Sequence, residues 1–379
     1  MTATEKEAKL EENILEQFES LGWNAFYTSG GQEGGKKLDQ KYNREIEQPI
    51  YYELLEEKIL ELNPDIDAGD IDEVTSEIKS RIRTQDPLVE ANKEFHYMLM
   101  RGVDVDFGSE TKHIDIIDDD VTGNRFDVVS QFVYREQKVT KKPDVVMLIN
   151  GVPVVVGELK YGVSNDCDDA ITDMQTYEDE VESLFRIPLF NIAITSRKLK
   201  YGSINAPLHQ YNQWRPEDIV SEYQYDELGY YDKDKSLKSL CDPEKILDIL
   251  NNFVMFQRDG GGLAKIIPRH QQYFAVKAIF DRFRKSKEKG MSARGLIWHT
   301  QGSGKSYTMF YAAVQAVRQC NSQAYILVDR NNLEEQMRKD LSDIGHPVTA
   351  DVADSKEELM PRDYFGQTTT VTLEHHKII

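Results

Sequence analysis

Residues 141–160 read KKPDVVMLINGVPVVVGELK. Pro143 and Asp144 open an apolar run, Asn150-Gly151 reverses it, and a second apolar run ends on Glu158, Leu159 and Lys160. Asn-Gly between two Val/Ile/Leu runs is a strong local signal for a β-hairpin, and the lack of alternation says that both faces of its strands are covered. Asp144, Glu158 and Lys160 are therefore expected as charges at the rim of a buried sheet. Such groups are costly to desolvate, and neighbouring carboxylates repel unless a divalent cation lies between them. Mg²⁺, a hard cation that takes oxygen ligands, suits Asp144 and Glu158. It would polarise a phosphoryl oxygen and lower the pKa of a bound water, while Lys160 orients that water or offsets developing charge. The chemistry implied is phosphodiester hydrolysis. The plainer alternative is a core hairpin with charges at its ends.

Register decides between them. A strict two-residue turn pairs Ile149 with Val152 and puts Asp144 opposite Gly157, so that Glu158 faces away, because side chains alternate across a strand. A bulge or a longer loop, favoured by Pro153 with its missing N–H, shifts the pairing by one residue and sets Asp144 opposite Glu158. The expectation is an irregular hairpin.

Pro143-Asp144, a spacer, then Glu158-Leu159-Lys160 resembles the PD-(D/E)xK nuclease motif, and the longer wording PDVVMLINGVPVVVGELK resembles the R subunit of type I restriction endonucleases. The resemblance implies an α/β chain with a PD-(D/E)xK nuclease-like domain followed by an incomplete RecA-like superfamily 2 helicase domain. It implies that Asp144, Glu158 and Lys160 carry Mg²⁺-dependent cleavage of unmodified double-stranded DNA. In the intact family, cleavage follows ATP-driven translocation, a specificity subunit reads the sequence and a modification (methylase) subunit methylates it.

At 379 residues, 40% apolar and 30% charged, the chain is long enough for two domains with sizeable cores. No apolar stretch approaches the length needed to span a bilayer and the first residues have no targeting pattern, so a cytoplasmic protein without membrane contact is expected. Cys167, Cys241 and Cys320 are scattered, without metal-ligand spacing, which suits a reducing compartment. The net charge of −20 leaves phosphate affinity to local basic strips at 138–142, 197–200 and 282–289, each of which a solvated face accounts for equally, and suggests that partner subunits supply much of the DNA contact.

Toward the N-terminus, Leu10, Ile14, Phe18 and Leu21 have the spacing of an amphipathic helix stopped by Gly22. The nuclease resemblance offers Glu11 or Glu12 as a further metal ligand, although a solvated helix face accounts for both. The glycine-rich residues 28–37 read as a flexible connection. Helices are expected at 49–62 and 71–83, and His96 packs a helix rather than binding a ligand. Residues 125–136 alternate like a strand beside the hairpin, 168–183 form a covering helix, and 189–196 another strand. Gln175 and Tyr177 lie where related nucleases carry a Gln and a Tyr, but as QTY rather than QxxxY. Residues 203–240 read as a polar linker or lid, and 242–256 as a short helix.

The second module is read from GLIWHTQGSGKSYTMFYAAVQAV, beginning at Gly295: a strand over 296–299, a glycine-bearing loop, and a helix from near Lys305. Backbone N–H groups from Gly302 through Ser303, Gly304 and Lys305 to Ser306, with Thr300 alongside, would surround the phosphates of ATP. Lys305 would meet the β- and γ-phosphates and Ser306 would ligate Mg²⁺. The general form GxxxxGK[ST] expects Gly where this chain has His299, while HTQGSGKS resembles the wording of type I R subunits. Upstream, Arg269, Gln272 and Ala275 resemble the adenine-sensing Q motif, with Gln272 offered to adenine; an exposed Gln on an amphipathic helix accounts for it equally. Arg330 and Asn331 follow a strand like motif Ia, near single-strand backbone, or lie in a solvated loop.

No DEAD or DEAH box, motif VI or second RecA-like lobe follows, so ATPase activity of this chain alone is not expected and a fragment, a truncated product or one part of a split subunit is implied. The expected domains are residues 1–240, the nuclease, and 241–379, a partial ATP-binding motor domain. Two alternatives stand beside the R-subunit reading: a catalytically inactive remnant that binds DNA or partner subunits, and part of another superfamily 2 translocase with a nuclease-like domain.

Overall fold

The runs Val145–Ile149 and Val152–Lys160 pair antiparallel at the centre of a seven-stranded sheet, and every residue of the two except Lys160 is buried. The computed structural model describes residues 3–28, 33–108, 110–161, 167–216, 232–259, 261–290, 294–320, 324–328, 348–353 and 369–375. The chain divides into two units, Met1–Asn251 and Asn252–Ile379. Arg330 and Asn331 lie outside the described residues.

The helices of the first unit are α1 (Ala3–Ser20), α2 (Gly34–Lys41), α3 (Tyr52–Leu62), α4 (Ile71–Ile82), α5 (Leu88–Arg101), α6 (Asp168–Glu180), α7 (Glu182–Phe185), α8 (Lys233–Leu240) and α9 (Pro243–Asn252). Its strands are β1 (Asn24–Phe26), β2 (Val103–Asp106), β3 (Thr111–Ile114), β4 (Phe126–Ser130), β5 (Tyr134–Glu136), β6 (Val139–Lys141), β7 (Val145–Ile149), β8 (Val152–Lys160), β9 (Phe190–Thr195), β10 (Leu199–Gly202) and β11 (Asn212–Gln213). The large sheet runs β1-β4-β7-β8-β9-β10-β11, with β1/β4 and β8/β9 parallel and its other neighbours antiparallel. Two small hairpins, β2/β3 and β5/β6, stand apart from it.

Why the central hairpin bends is visible in its register. Asn150 (φ 53°) and Gly151 (φ 82°) both take the left-handed conformation of a tight type I′ turn, and Ile149 pairs with Val152 and Leu148 with Pro153. Met147 then pairs with Val155, Val146 with Val156 and Val145 with Gly157, leaving Val154 as the extra residue of a bulge beside Pro153. The irregular hairpin expected from the sequence is therefore present, and the shifted register extends by one step to Asp144 and Glu158.

Val146, Leu148 and Val156 share one core with Leu38 of α2, Leu54 of α3 and Met174 of α6. Each such apolar side chain contributes roughly 1.5–3 kcal/mol on burial, so the strand ends that carry the charges are anchored by their own apolar stretches. His96 is buried in α5, as expected of a packing residue. The glycine-rich stretch differs from its expectation. Gly34 and Gly35 open α2, and a Cβ on Gly34 would lie 1.7 Å from the Phe26 carbonyl oxygen, so that glycine serves close packing of helix on strand. The expected strand over 125–136 is divided into β4 and β5, and α8 stands inside the stretch read as linker.

The second unit holds β12 (Met255–Asp259), β13 (Gly262–Ile266), α10 (His270–Lys289), α11 (Lys305–Cys320), β14 (Ala324–Val328), β15 (Val348–Ala353) and β16 (Thr369–His375). Phe253, Tyr273 and Tyr311 meet ring to ring at 4.7 and 5.3 Å about Phe253 and help to hold α10 to α11. β14-β16-β15 is an antiparallel sheet, and among the described residues no parallel pair occurs in this unit. The strand expected over 296–299 is not formed: Leu296 and Trp298 are each 86% exposed. An apolar strand needs a partner for its backbone groups, and none pairs with this run among the described residues. Among the described residues no helix is long and apolar enough to cross a membrane.

Candidate functional site

Asp144 sits just before β7, where Gln131 and Leu159 converge on it. Its Oδ2 accepts the Leu159 backbone N–H at 2.8 Å and its Oδ1 accepts from Gln131 Nε2 at 3.0 Å. Burial raises the Asp144 carboxyl above its usual range, and these two bonds and the Lys160 charge hold it partly down. Glu158 is 4% exposed; its Oε1 meets Lys160 Nζ at 3.0 Å and the Tyr177 hydroxyl at 3.4 Å, whereas its Oε2 is buried with no partner. Burial first, and then the Asp144 charge, push the Glu158 carboxyl up to about 7. Lys160 lies between Glu158 and Asp173, with Asp173 Oδ2 at 2.6 Å. Burial works against its charge, but the two carboxylates outweigh it and hold the ammonium above its usual range.

The structure thus brings Asp144, Glu158 and Lys160 together. Tyr177 joins them, while Gln175 is turned away, its Nε2 donating to the Ala206 carbonyl at 3.0 Å. Three further residues belong here that sequence reasoning missed or left open. Gln131, in the left-handed region (φ 56°), donates through one Nε2 to Asp144 and, at 2.7 Å, to Glu11 Oε2. Burial raises the Glu11 carboxyl, and bonds from Gln131, Ser130 and Thr28 oppose it; Glu11 and Glu12 of α1 both line the cleft beside Asp144, and Glu11 is the one that Gln131 links to it. Asp173 is the third. A cleft of about 910 Å³ opens on the Asp144 side of this group, lined by Glu11, Thr28, Gln131, Lys142, Asp144 and Leu159 among others and not by Glu158 or Lys160. The nuclease resemblance offers Glu11; the positive φ that turns Gln131 toward Asp144 is invisible in a sequence.

Among the described residues no group of three or more His, Cys, Asp or Glu is gathered closely enough to cage a metal ion. The pair Asp144 and Glu158 nonetheless fits a divalent cation chemically. A buried carboxylate oxygen without a donor, beside a second carboxylate whose charge raises its pKa, is a site that a cation would satisfy.

In the second unit α11 begins at Lys305, where the sequence placed it, and Gly302 and Gly304 both have φ 79°. Lys305 Nζ donates to the carbonyls of His299 at 3.2 Å and Thr300 at 3.0 Å, and Ser303 Oγ donates to Thr300 O at 2.7 Å. Burial and the nearby Lys305 charge lower the His299 pKa. Ser306 is half-buried in the first turn of the helix. Gln272 is 3% exposed, and its amide is committed inside the protein. Its Nε2 donates to the carbonyls of Ser303 (3.3 Å) and Gly304 (3.0 Å), and its Oε1 accepts the Arg269 N–H at 2.7 Å. The exposed helical Gln of the sequence reading is a buried brace beneath the glycine loop.

Residues 4–210 match the family model described as type I restriction enzyme R protein N terminus. The chain belongs to that family. Residues 271–375 match a second model, the SWI2/SNF2 ATPase. The chain is 31% identical over 351 residues to the type I restriction enzyme HindI endonuclease subunit of Haemophilus influenzae, covering 87% of this chain and 32% of that protein. Against the putative type I restriction enzyme MjaIXP endonuclease subunit of Methanocaldococcus jannaschii it is 29% identical over 274 residues, 65% of this chain and 26% of that one. The putative MjaVIIIP endonuclease subunit of the same organism is 31% identical over 206 residues, with 52% of this chain and 19% of that protein covered. The chain spans a third or less of the length of these relatives.

Proposed function

We propose that the first unit is a PD-(D/E)xK endonuclease domain that cleaves unmodified double-stranded DNA with Mg²⁺ held by Asp144 and Glu158. One observation carries this reading: with the hairpin register shifted, half-buried Asp144 lies near enough to buried Glu158 for its charge to raise that carboxyl, and Glu158 Oε2 has no donor. Bound there, Mg²⁺ would supply Lewis-acid polarisation of the scissile phosphate and a water of lowered pKa. The chain's own residues do the rest. The Leu159 N–H and the Gln131 amide fix the Asp144 carboxylate, and the Tyr177 hydroxyl and Lys160 ammonium fix Glu158 Oε1. Lys160 then stands where it orients the attacking water and offsets charge on the phosphate.

The second unit, in this reading, binds ATP through Thr300, Gly302, Ser303, Gly304, Lys305 and Ser306, with Ser306 on the nucleotide's Mg²⁺ and Gln272 supporting the loop. It is the first part of a RecA-like motor whose translocation drives cleavage in a longer protein. The partners are the modification and specificity subunits of a type I complex, consistent with a net charge of −20 that leaves much DNA contact to others. The protein acts in the cytoplasm, with its DNA.

The test is nicking of supercoiled plasmid by the purified chain with Mg²⁺, beside calorimetric titration of the ion. Nicking and ion uptake are expected, and Asp144→Ala and Glu158→Ala should abolish both. A wild-type chain that takes up no divalent ion, or variants that nick as well as wild type, would overturn the proposal.

A further inference from the structure

The Lys160 ammonium has two carboxylate partners of unequal standing. Glu158, 3.0 Å away, is also the buried acid with an unpartnered oxygen; Asp173, at 2.6 Å, reaches in from α6. We propose that Asp173 is a positioning residue that holds Lys160 in the site, an inference that rests on the nuclease reading above.

The argument starts from one face of α6. Asp173 and Tyr177 are four residues apart, hence neighbours on the helix surface, and Glu180 follows on the same side. Asp173 meets Lys160, Tyr177 meets Glu158, and Glu180 pairs with Lys141, whose ammonium also lies 5.2 Å from the centre of the Tyr177 ring. This face therefore engages the ends of both β8 and β6 at consecutive points. When Glu158 turns its charge to a cation, Lys160 keeps one undivided anionic partner, Asp173. On a flexible four-carbon stem, such a partner keeps the charge aimed. The Asp173 and Lys160 side chains are 42% and 34% exposed, and ion pairs as exposed as this add little to stability. The pair is placed to fix geometry, and its removal is expected to leave the fold intact.

Two measurements on the full chain test this. In the first, the ¹⁵N-labelled Lys160 ammonium is observed by NMR. A slowly exchanging, ordered ammonium signal is expected in wild type and in Asp173→Glu, and its loss in Asp173→Asn. In the second, plasmid cleavage by Asp173→Asn should show kcat lowered by about tenfold to hundredfold, the size of effect that misplaced reacting groups produce. KM for DNA and the calorimetric affinity for Mg²⁺ should stay within about twofold, and Asp173→Glu should restore most of kcat. A Lys160 signal unchanged in Asp173→Asn overturns the inference, and this holds even for a preparation that does not cleave. So does loss of melting temperature and ion affinity in parallel with kcat, which marks a purely structural role. If Asp144→Ala is inactive while Asp173→Asn cleaves normally, this inference alone fails; if Asp144→Ala cleaves normally, the nuclease reading fails.

Discussion

The backbone N–H of Leu159 donates to Asp144 Oδ2 at 2.8 Å. This bond ties the carboxylate that precedes one strand to the backbone of the next, between Glu158 and Lys160. A hydrogen bond to an ionised group contributes about 1.5–3 kcal/mol, enough to keep a half-buried carboxylate in one orientation. It exists because the bulge at Val154 has moved the pairing by one residue.

Two carboxylates, buried Glu158 and half-buried Asp144, that share a cation should be steadied by it. At an Mg²⁺ concentration about ten times Kd, ligand linkage adds ~1.4 kcal/mol, or a few degrees in Tm for a domain of this size. Wild type should show that rise, chelator should reverse it, and Glu158→Gln should show none. An equal rise in Glu158→Gln would put the ion elsewhere.

Asn150 should be hard to replace. Its Oδ1 accepts the Arg125 N–H at 2.8 Å, and its Nδ2 donates to Ile116 O at 3.0 Å and Asn124 Oδ1 at 2.9 Å, all from a left-handed backbone with φ 53°. At about 1 kcal/mol for each bond and a similar cost for a left-handed alanine, Asn150→Ala should destabilise by roughly 3–4 kcal/mol. Asn150→Gly keeps the turn and should lose about 1 kcal/mol less. Urea unfolding of the full chain measures both; a loss below about 1 kcal/mol for the alanine would contradict the account.

Glu178 makes stability fall with rising pH. Burial raises its carboxyl to about 7, against the Asn205 N–H at 3.1 Å and the Asn191 amide at 2.7 Å, with the charge of Asp179 adding to the rise. A carboxyl whose folded pKa lies above its unfolded value binds more protons when folded. Its contribution is therefore complete below about pH 4.5 and lost as pH climbs through about 7, on the order of 3 kcal/mol over the window. Denaturant midpoints measured from pH 5 to 8 should decline in wild type and decline less steeply in Glu178→Gln, where Glu158, also raised to about 7, keeps its share. Parallel declines would assign the effect to another group.

Gln272 is committed to loop carbonyls at 3.0 and 3.3 Å, so its loss should loosen the phosphate loop without regard to base. Gln272→Leu is expected to weaken binding of ATP and GTP alike, by about tenfold, the equivalent of one or two buried hydrogen bonds. Loss of ATP binding with GTP unchanged would return Gln272 to adenine.

Much of the site was legible because hairpin chemistry is local. Asn150-Gly151 announced the turn, the unbroken apolar runs announced burial on both faces, and Pro153, lacking an N–H, favoured an irregular register, which the structure realises as a bulge. The start of α11 at Lys305 was legible for the same kind of reason, a glycine loop running into a helical pattern. The run at 296–299 was not. Its apolar character describes a strand only where a partner strand takes its backbone groups, and pairing is not written in the run itself.

By itself, the sequence determined which residues carry charge at the strand ends and how far apart along the chain they fall. Those depend on alternation and turn geometry over about twenty residues. Only the tertiary structure decided which other side chains meet them. Glu11 arrives from α1, Gln131 from the turn after β4 and Asp173 from α6, each through the packing of a separate element onto the sheet. A helix face reads as amphipathic whichever strand it covers. The partner is chosen by the shape of the buried core, and that choice is made between residues far apart in the chain.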